Sequence, residues 1–272
     1  KTLDVDIYNI LYFWGMPAVL VYIATGNVVF SLLSIVITGV LTLKVADWSA
    51  PHIHKVMPQF KGISFPYVYS AFYGPVAYVF DKVPFIKNSN FTAGSIKKKF
   101  GILGEPGIIG FVLGLAMSLM GGYKFTDALM VGIKLGAALY FVPICTKILI
   151  EGLNETSSAL TTLVKKHFKD RDIYIGLDGV LLSSMPETLA VGLLLVPIAL
   201  LVSFILPWNT VLPIGMLSVG FILCGIFMPF FKMNILKGTL FCVIVVTIEL
   251  AIGQALAPYF TEMAISGGAA IP

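Results

Sequence analysis

The run Ile173-Tyr174-Ile175-Gly176-Leu177-Asp178-Gly179-Val180-Leu181-Leu182-Ser183-Ser184-Met185-Pro186-Glu187 sets one carboxylate between two glycines inside an apolar stretch. What that means depends on its surroundings. Of 272 residues, 58% are hydrophobic and 12% charged, against roughly 25% charged in a typical soluble domain. The chain is therefore a multi-span membrane protein, and Asp178 lies at membrane depth. A carboxylate there is costly unless the backbone bends around it and water or a polar ligand reaches it. Residues 173–187 are accordingly read as a re-entrant hairpin whose tip, at Asp178, holds a hydrophilic substrate. Gly176 and Gly179 would supply the tight turn. The plainer alternative is that Asp178 caps the second arm of the hairpin.

Outward from this stretch, about 20 mostly apolar residues are needed to cross a hydrocarbon core of roughly 30 Å as a helix. Residues 7–25, 28–46, 107–122, 124–150, 188–206, 212–231 and 235–258 meet or approach that requirement. The expectation is an all-α polytopic membrane fold of about seven spans. Residues 1–50 form a two-span hairpin, with Asp4, Asp6 and Asn9 placed to cap the first span. Residues 106–172 hold two spans and an amphipathic helix at 154–170. There Leu160, Leu163, Val164, His167 and Phe168 make one face, flanked by Lys165, Lys166, Lys169 and Arg171, as suits a helix lying in the inner interface. Residues 188–272 hold the last three spans. Gly110, Gly114 and Gly121 offer a small-residue face for close helix packing.

Between the first two blocks, residues 51–105 carry Lys55, Lys61, Lys82, Lys87 and Lys97-Lys98-Lys99, so this loop should be cytoplasmic. Its aromatic part, 62–75, is broken by Gly and Pro at both ends, which argues against a continuous span. It either dips into the protein to line a cavity or lies in the headgroup belt.

Sliding the chain by 207 positions lays Ile7 on Ile214, Asn27 on Asn234 and Ala50-Pro51 on Ala257-Pro258. The turn at Gly26-Asn27 is uncharged, whereas Lys232 and Lys237 flank Asn234, so the two hairpins look oppositely oriented. Inverted repeats with a midplane site at broken helices are a common transporter plan.

The other carboxylates of interest are Glu105 in Gly104-Glu105-Pro106, Glu187 after Pro186, and Glu249, set well inside a continuous apolar run. The first two suit either helix capping or a substrate. Glu249 suits a proton site or a structural pair, since lipid exposure would cost several kcal/mol. Asp127 and Lys134 are a candidate pair in the long helix. Cys145, Cys224 and Cys242 form no CxxC and read as small core residues. His52, His54 and His167 fall in polar segments, with no metal-ligand spacing. No nucleophile with its base and no phosphate loop is present. The residues point to a carrier of a polar solute, without catalytic residues, metal or cofactor, and give nucleic-acid binding no support.

Several stretches, in order along nearly the whole chain, resemble the IIC permease of the galactitol-type phosphotransferase systems, within the ascorbate-galactitol superfamily. They are Val5-Asp6-Ile7-Tyr8-Asn9-Ile10, Ala24-Thr25-Gly26, Lys44-Val45-Ala46-Asp47-Trp48, Ser70-Ala71-Phe72-Tyr73-Gly74-Pro75, Lys99-Phe100-Gly101-Ile102-Leu103-Gly104-Glu105-Pro106, Ile175-Gly176-Leu177-Asp178 and Val211-Leu212-Pro213-Ile214-Gly215. The resemblance implies a homodimeric, alternating-access carrier of a sugar or polyol in the bacterial inner membrane. Its substrate would be phosphorylated by a separate cytoplasmic IIB protein, itself charged by IIA. It also implies that this chain is a fragment lacking spans at both ends. Carried over by motif, the substrate-binding set is Asp178, Gly176, Glu105 and Ser70. Tyr67 and Glu187 join it where the chain departs from the family pattern, at Tyr67-Val68 in place of a His-Gly pair and at residues 183–187 in place of a Gly-His pair. Those departures leave the particular sugar open. The competing class is an ion-coupled secondary transporter using Glu249 or Asp178 as its proton site.

Overall fold

The computed structural model describes residues 1–7, 9–83, 89, 91–167 and 173–268. Lys87, and Phe168 to Arg171 of the amphipathic stretch, lie outside the described residues. A short strand, β1 (Thr2–Asp4), leads through a π-helical turn (Asn9–Trp14) into helix α1 (Gly15–Thr25). Gly26, at φ 64°, ends α1 in the left-handed conformation, and Asn27 caps α2 (Val28–Val56) by accepting from the N–H groups of Val29 and Phe30. After a second short strand, β2 (Ile63–Ser64), comes α3 (Val68–Phe80), followed by α4 (Ala93–Phe100) and the pair α5 (Pro106–Met120) and α6 (Phe125–His167). The focal run then gives β3 (Tyr174–Gly176) and a single helical turn, α7 (Val180–Ser183). Helices α8 (Pro186–Ile205), α9 (Ile214–Phe227) and α10 (Ile235–Ser266) complete the described chain.

Among the described residues, four helices are long and apolar enough to cross a membrane, within α2, α6, α8 and α10, and shorter apolar helices accompany them. Their outward faces stay apolar: Val28, Phe30, Val36 and Phe204 are 58, 55, 61 and 77% exposed, which suits lipid and would be untenable in water. The core lies where α3, α8, α9 and α10 meet, around Phe227, Phe231, Phe241, Cys242 and Val245. Cys224 and Cys242 are buried there as free thiols.

Two sequence expectations change, the separate amphipathic helix and the Asp127–Lys134 pair. Of the aromatic segment 62–75, residues 62–67 are non-helical and Val68 onward enters helix α3, with Pro75 inside it. At 13 residues it spans only about 20 Å, short of a hydrocarbon core of roughly 30 Å. Gly74 faces Phe230 and Trp48 there, and a Cβ would lie 3.5 and 3.6 Å from them, distances that an alanine would meet as ordinary contacts. The amphipathic stretch does not form a helix of its own, because α6 continues through it to His167. Asp127 and Lys134 are both exposed on α6, seven positions apart, and form no ion pair. The expected small-residue contact between α5 and α6 is present and tight: a Cβ on Gly110 would lie 2.8 Å from the Leu135 carbonyl oxygen, and one on Gly136 would lie 2.6 Å from that of Gly107.

The repeat offset of 207 has structural counterparts. Asn27 and Asn234 are both helix N-caps, and Pro51 and Pro258 both stand inside the helices those residues begin. Each proline lacks the N–H that would have taken the carbonyl four residues earlier, on Asp47 and on Gln254. Those two residues, again 207 apart, repeat one hydrogen-bond motif. Asp47 Oδ1 accepts from the N–H (2.7 Å) and hydroxyl (2.8 Å) of Thr2. Gln254 Oε1 accepts from the N–H (3.0 Å) and hydroxyl (2.9 Å) of Thr210.

Candidate substrate site

The focal run is neither a helix passing straight through nor a simple turn. It is a strand, a three-residue bend and one helical turn. β3 is the middle strand of a parallel three-stranded sheet, with Thr2, Leu3 and Asp4 opposite Tyr174, Ile175 and Gly176 on one side, and Ile63 and Ser64 opposite Ile175 and Gly176 on the other. The sheet was not foreseen from the sequence. Its physical reason is that extended backbone inside a membrane protein must find partners within the protein. Here the N–H groups of Tyr174, Ile175 and Leu177 go to the carbonyls of Lys1, Gly62 and Ser64.

The glycines also act differently from expectation. Neither Gly176 nor Gly179 is at positive φ, so neither supplies turn freedom. Gly176 answers crowding: a Cβ there would lie 2.9 Å from Asp4 Cα, 3.0 Å from Pro66 and 3.1 Å from Thr2. At Gly179 a Cβ would meet the Tyr67 ring at 3.5 Å, an ordinary contact that fixes Tyr67 beside the bend.

Asp178, half-buried, accepts from the Val180 N–H at 2.8 Å through Oδ1. That bond closes an Asx turn ahead of α7, whose N-cap residue is Gly179 with no side-chain cap bond, and it leaves the other Asp178 oxygen for additional donors. Asp4 and Asp6 join it. They were expected to cap the first span, but Asp4 ends β1 opposite Gly176, and its Oδ1 accepts from the Asp6 N–H at 3.0 Å. The second Asp4 oxygen, Oδ2, is buried with no hydrogen-bond partner. Burial, with the charges of Asp6 and Asp178 adding, raises Asp4 from its ordinary 3.8 to about 6. The Tyr67 phenol is pushed well above its usual range, first by burial and then by the Asp178 charge, so it stays a neutral hydrogen-bond donor. Among the described residues, no group of acidic, His or Cys side chains is arranged to hold a metal ion. Three carboxylates and a phenol around one bend are instead suited to several neutral donors, such as the hydroxyls of one small molecule.

A sequence signal for Asp4 and Asp6 was present. Leu3, Val5 and Ile7 alternate with them at the two-residue period of a strand, and the alternation is reversed relative to a soluble protein. The apolar members are 42, 44 and 69% exposed while both aspartates turn inward.

The remaining predicted residues are spread around this centre. Ser70, buried in the first turn of α3, donates its hydroxyl to the Tyr67 carbonyl. Glu187 is half-buried in the first turn of α8, next to Thr188, which is fully buried with its hydroxyl unpartnered and which the sequence did not flag. Glu105 is the N-cap residue of α5 but makes no side-chain cap bond. Glu249 lies away from the bend, on α10, where it accepts from the Tyr73 hydroxyl at 2.5 Å. A second polar centre was also missed: Lys237, counted among the charges at the Asn234 turn, is buried against Asp81.

Comparison with known proteins bears on this arrangement. The chain is 36% identical over 273 residues to a putative permease IIC component of Escherichia coli strain K12, covering 98% of this chain and 62% of that protein. It is 29% identical over 276 residues to the galactitol-specific EIIC components of the phosphotransferase system in Escherichia coli K12 and O157:H7, covering 99% of this chain and 60% of each. The chain thus spans about three-fifths of the length of these relatives. No solved structure matches it. Residues 1–272 match the EIIC-GAT family throughout, and the chain therefore belongs to the sugar-specific permease components of the phosphotransferase system.

Proposed function

We propose that the protein containing this chain carries a sugar or polyol across the bacterial inner membrane as the IIC subunit of a phosphotransferase complex, working as a homodimer. The observation that carries this reading is the broken segment at Asp178, where a strand and a one-turn helix place a half-buried carboxylate beside Asp4, Asp6 and Tyr67. The segment re-enters the bilayer with the bend as its tip. Substrate hydroxyls donate to the carboxylates, each charge-assisted bond being worth roughly 1.5–3 kcal/mol, and Tyr67 lends an aromatic face. The set also includes Ser70, Gly176, Glu105 and Glu187. A polyol related to galactitol fits the name of one relative. The residue that passes the phosphoryl group belongs to a partner IIB protein, charged by IIA, and this chain supplies binding and translocation.

A second reading, a proton-coupled carrier, draws on Glu249, a carboxylate well inside the candidate span of α10. One experiment separates the two: uptake of labelled hexitols and hexoses into vesicles holding the full-length protein, with and without phosphorylated IIB. The proposal expects phosphorylated product inside, dependence on IIB and indifference to a proton uncoupler. Unmodified solute accumulating without IIB, and lost with the uncoupler, would replace it with the second reading.

A further inference from the structure

Helix α3 carries a row of tyrosines leading away from the bend. Tyr67, just before the helix, lies against Gly179, the residue after Asp178. Its ring centroid is 5.6 Å from that of Tyr69, and Tyr69 lies 6.4 Å from Tyr73, with those two rings within 15° of parallel. Tyr69 and Tyr73 are four residues apart and so share a helix face. At the far end, Tyr73 donates to Glu249 Oε1 at 2.5 Å. The row therefore runs from one membrane-depth carboxylate to another.

Glu249 is under-supplied with donors for a charge at this depth. A carboxylate offers about four acceptor positions, and Tyr73 fills one. No cation pairs with Glu249 among the described residues, and the residue is only half-buried. The polar level recurs in the other repeat: the offset that lays Asn27 on Asn234 and Asp47 on Gln254 also lays Thr42 on Glu249. Thr42 is 1% exposed, and its hydroxyl has no partner. The helices bearing these two residues, α2 and α10, both contact α3. Tyr67 and Tyr73 are 5 and 2% exposed and packed in the core, whereas Tyr69 and Glu249 are half-buried, so Tyr73 holds Glu249 from within and Tyr69 offers the open ring. A carboxylate wanting hydroxyl donors, next to an aromatic face that accepts a C–H surface, is chemistry that recognises a polyhydroxylated carbon chain.

We propose that Glu249, Tyr73 and Tyr69 form a second binding station for the transported polyol, distinct from the Asp178 bend and joined to it by Tyr67. The inference rests on the proposed transport function. The substrate leaves the Asp178 carboxylate past Tyr69 and exchanges its hydroxyl contacts for those of Glu249. The station sets the rate of passage, whereas the Asp178 bend sets resting affinity.

The test uses the full-length protein in proteoliposomes with phosphorylated IIB, and as probe the tightest-bound member of a panel of labelled hexitols and pentitols beginning with galactitol. Equilibrium binding and initial uptake are measured separately. Glu249→Gln and Tyr69→Ala are expected to slow uptake at least tenfold while Kd stays within threefold, and Tyr69→Phe, which keeps the ring, is expected to recover most of the rate that Tyr69→Ala loses. Tyr73→Phe removes only the bond to Glu249 and should slow uptake less than threefold. Uptake by Glu249→Gln within twofold of wild type would overturn the station. So would a Tyr73→Phe variant that matched Glu249→Gln in both rate and thermal midpoint, since the pair would then only clamp α3 to α10. An uncoupler that slowed wild type but not Glu249→Gln would make Glu249 a proton site instead. Wild-type protein that bound no member of the panel would bring down the transport reading as well. Binding abolished by Asp178→Asn, with Glu249→Gln unaltered in rate, would remove the second station alone.

Discussion

Lys237 Nζ lies 2.6 Å from Asp81 Oδ1, with the lysine side chain 7% exposed and the aspartate 28%. The pair ties the first turn of α10 to the end of α3, the helix that begins beside the Asp178 bend. Breaking one member of a buried pair strands the other charge, at about 3–5 kcal/mol, whereas replacing both with apolar residues is often nearly neutral. Partial exposure of Asp81 places its effect at the lower end. Asp81→Asn and Lys237→Met should each lower stability by about 2–4 kcal/mol, and Asp81→Leu with Lys237→Met should recover most of that loss. Thermal unfolding of the three proteins in detergent checks this, and additive losses would contradict a coupled pair.

Gly176 and Gly179 should respond very differently to the same small change. A Cβ at 176 meets Asp4 Cα at 2.9 Å in paired backbone that cannot easily give, while one at 179 meets only the Tyr67 ring at 3.5 Å. Gly176→Ala is expected to destabilise by about 1–3 kcal/mol, the usual range for overpacking, and to abolish uptake. Gly179→Ala should fold normally and lose less than threefold in uptake. Thermal midpoints and uptake of the pair decide the point, and equal effects would show that the crowding at β1 has been misjudged.

Asp4 should make stability depend on pH in an unusual direction. Its folded pKa, about 6, is raised above the ordinary 3.8 by burial and by its acidic neighbours. Between those values the folded protein holds a proton that the unfolded chain has released, so stability falls as pH rises through this window. Asp4→Asn keeps the acceptor for the Asp6 N–H and removes the charge. Its thermal midpoint should exceed that of wild type at pH 7.5 by about 2–4 °C, and the difference should vanish below pH 4. A difference that persisted in acid would assign the effect to packing.

Much of the frame was legible because helices in lipid announce themselves by length and apolarity alone. The long α2 and α10 begin at the asparagines that the offset of 207 had paired. Asp178 stood out because a lone carboxylate in an apolar run has few reasons to be there. The sheet beneath it was not, since β1, β2 and β3 have three, two and three residues, and pairing between segments so far apart leaves little local signature. Asp4 and Asp6 were assigned to a helix start because carboxylates there are usual, although the alternation with Leu3, Val5 and Ile7 carried the better hint. Lys237 was read as a surface charge because burial of a lysine depends on a partner 156 residues away, which one sequence does not reveal. Proline and glycine argued against a continuous span at 62–75, and α3 is too short for one, although Pro75 sits within the helix rather than ending it.

The account turns on whether the Asp178 bend holds the transported molecule. The most direct measurement is equilibrium binding of a labelled hexitol to the full-length protein and to its Asp178→Asn variant, with thermal midpoints taken alongside. Asparagine keeps the acceptor for the Val180 N–H and removes the charge, so the fold should persist while affinity falls at least tenfold, as loss of one charge-assisted bond requires. An Asp178→Asn protein that binds the hexitol as tightly as wild type would contradict the account.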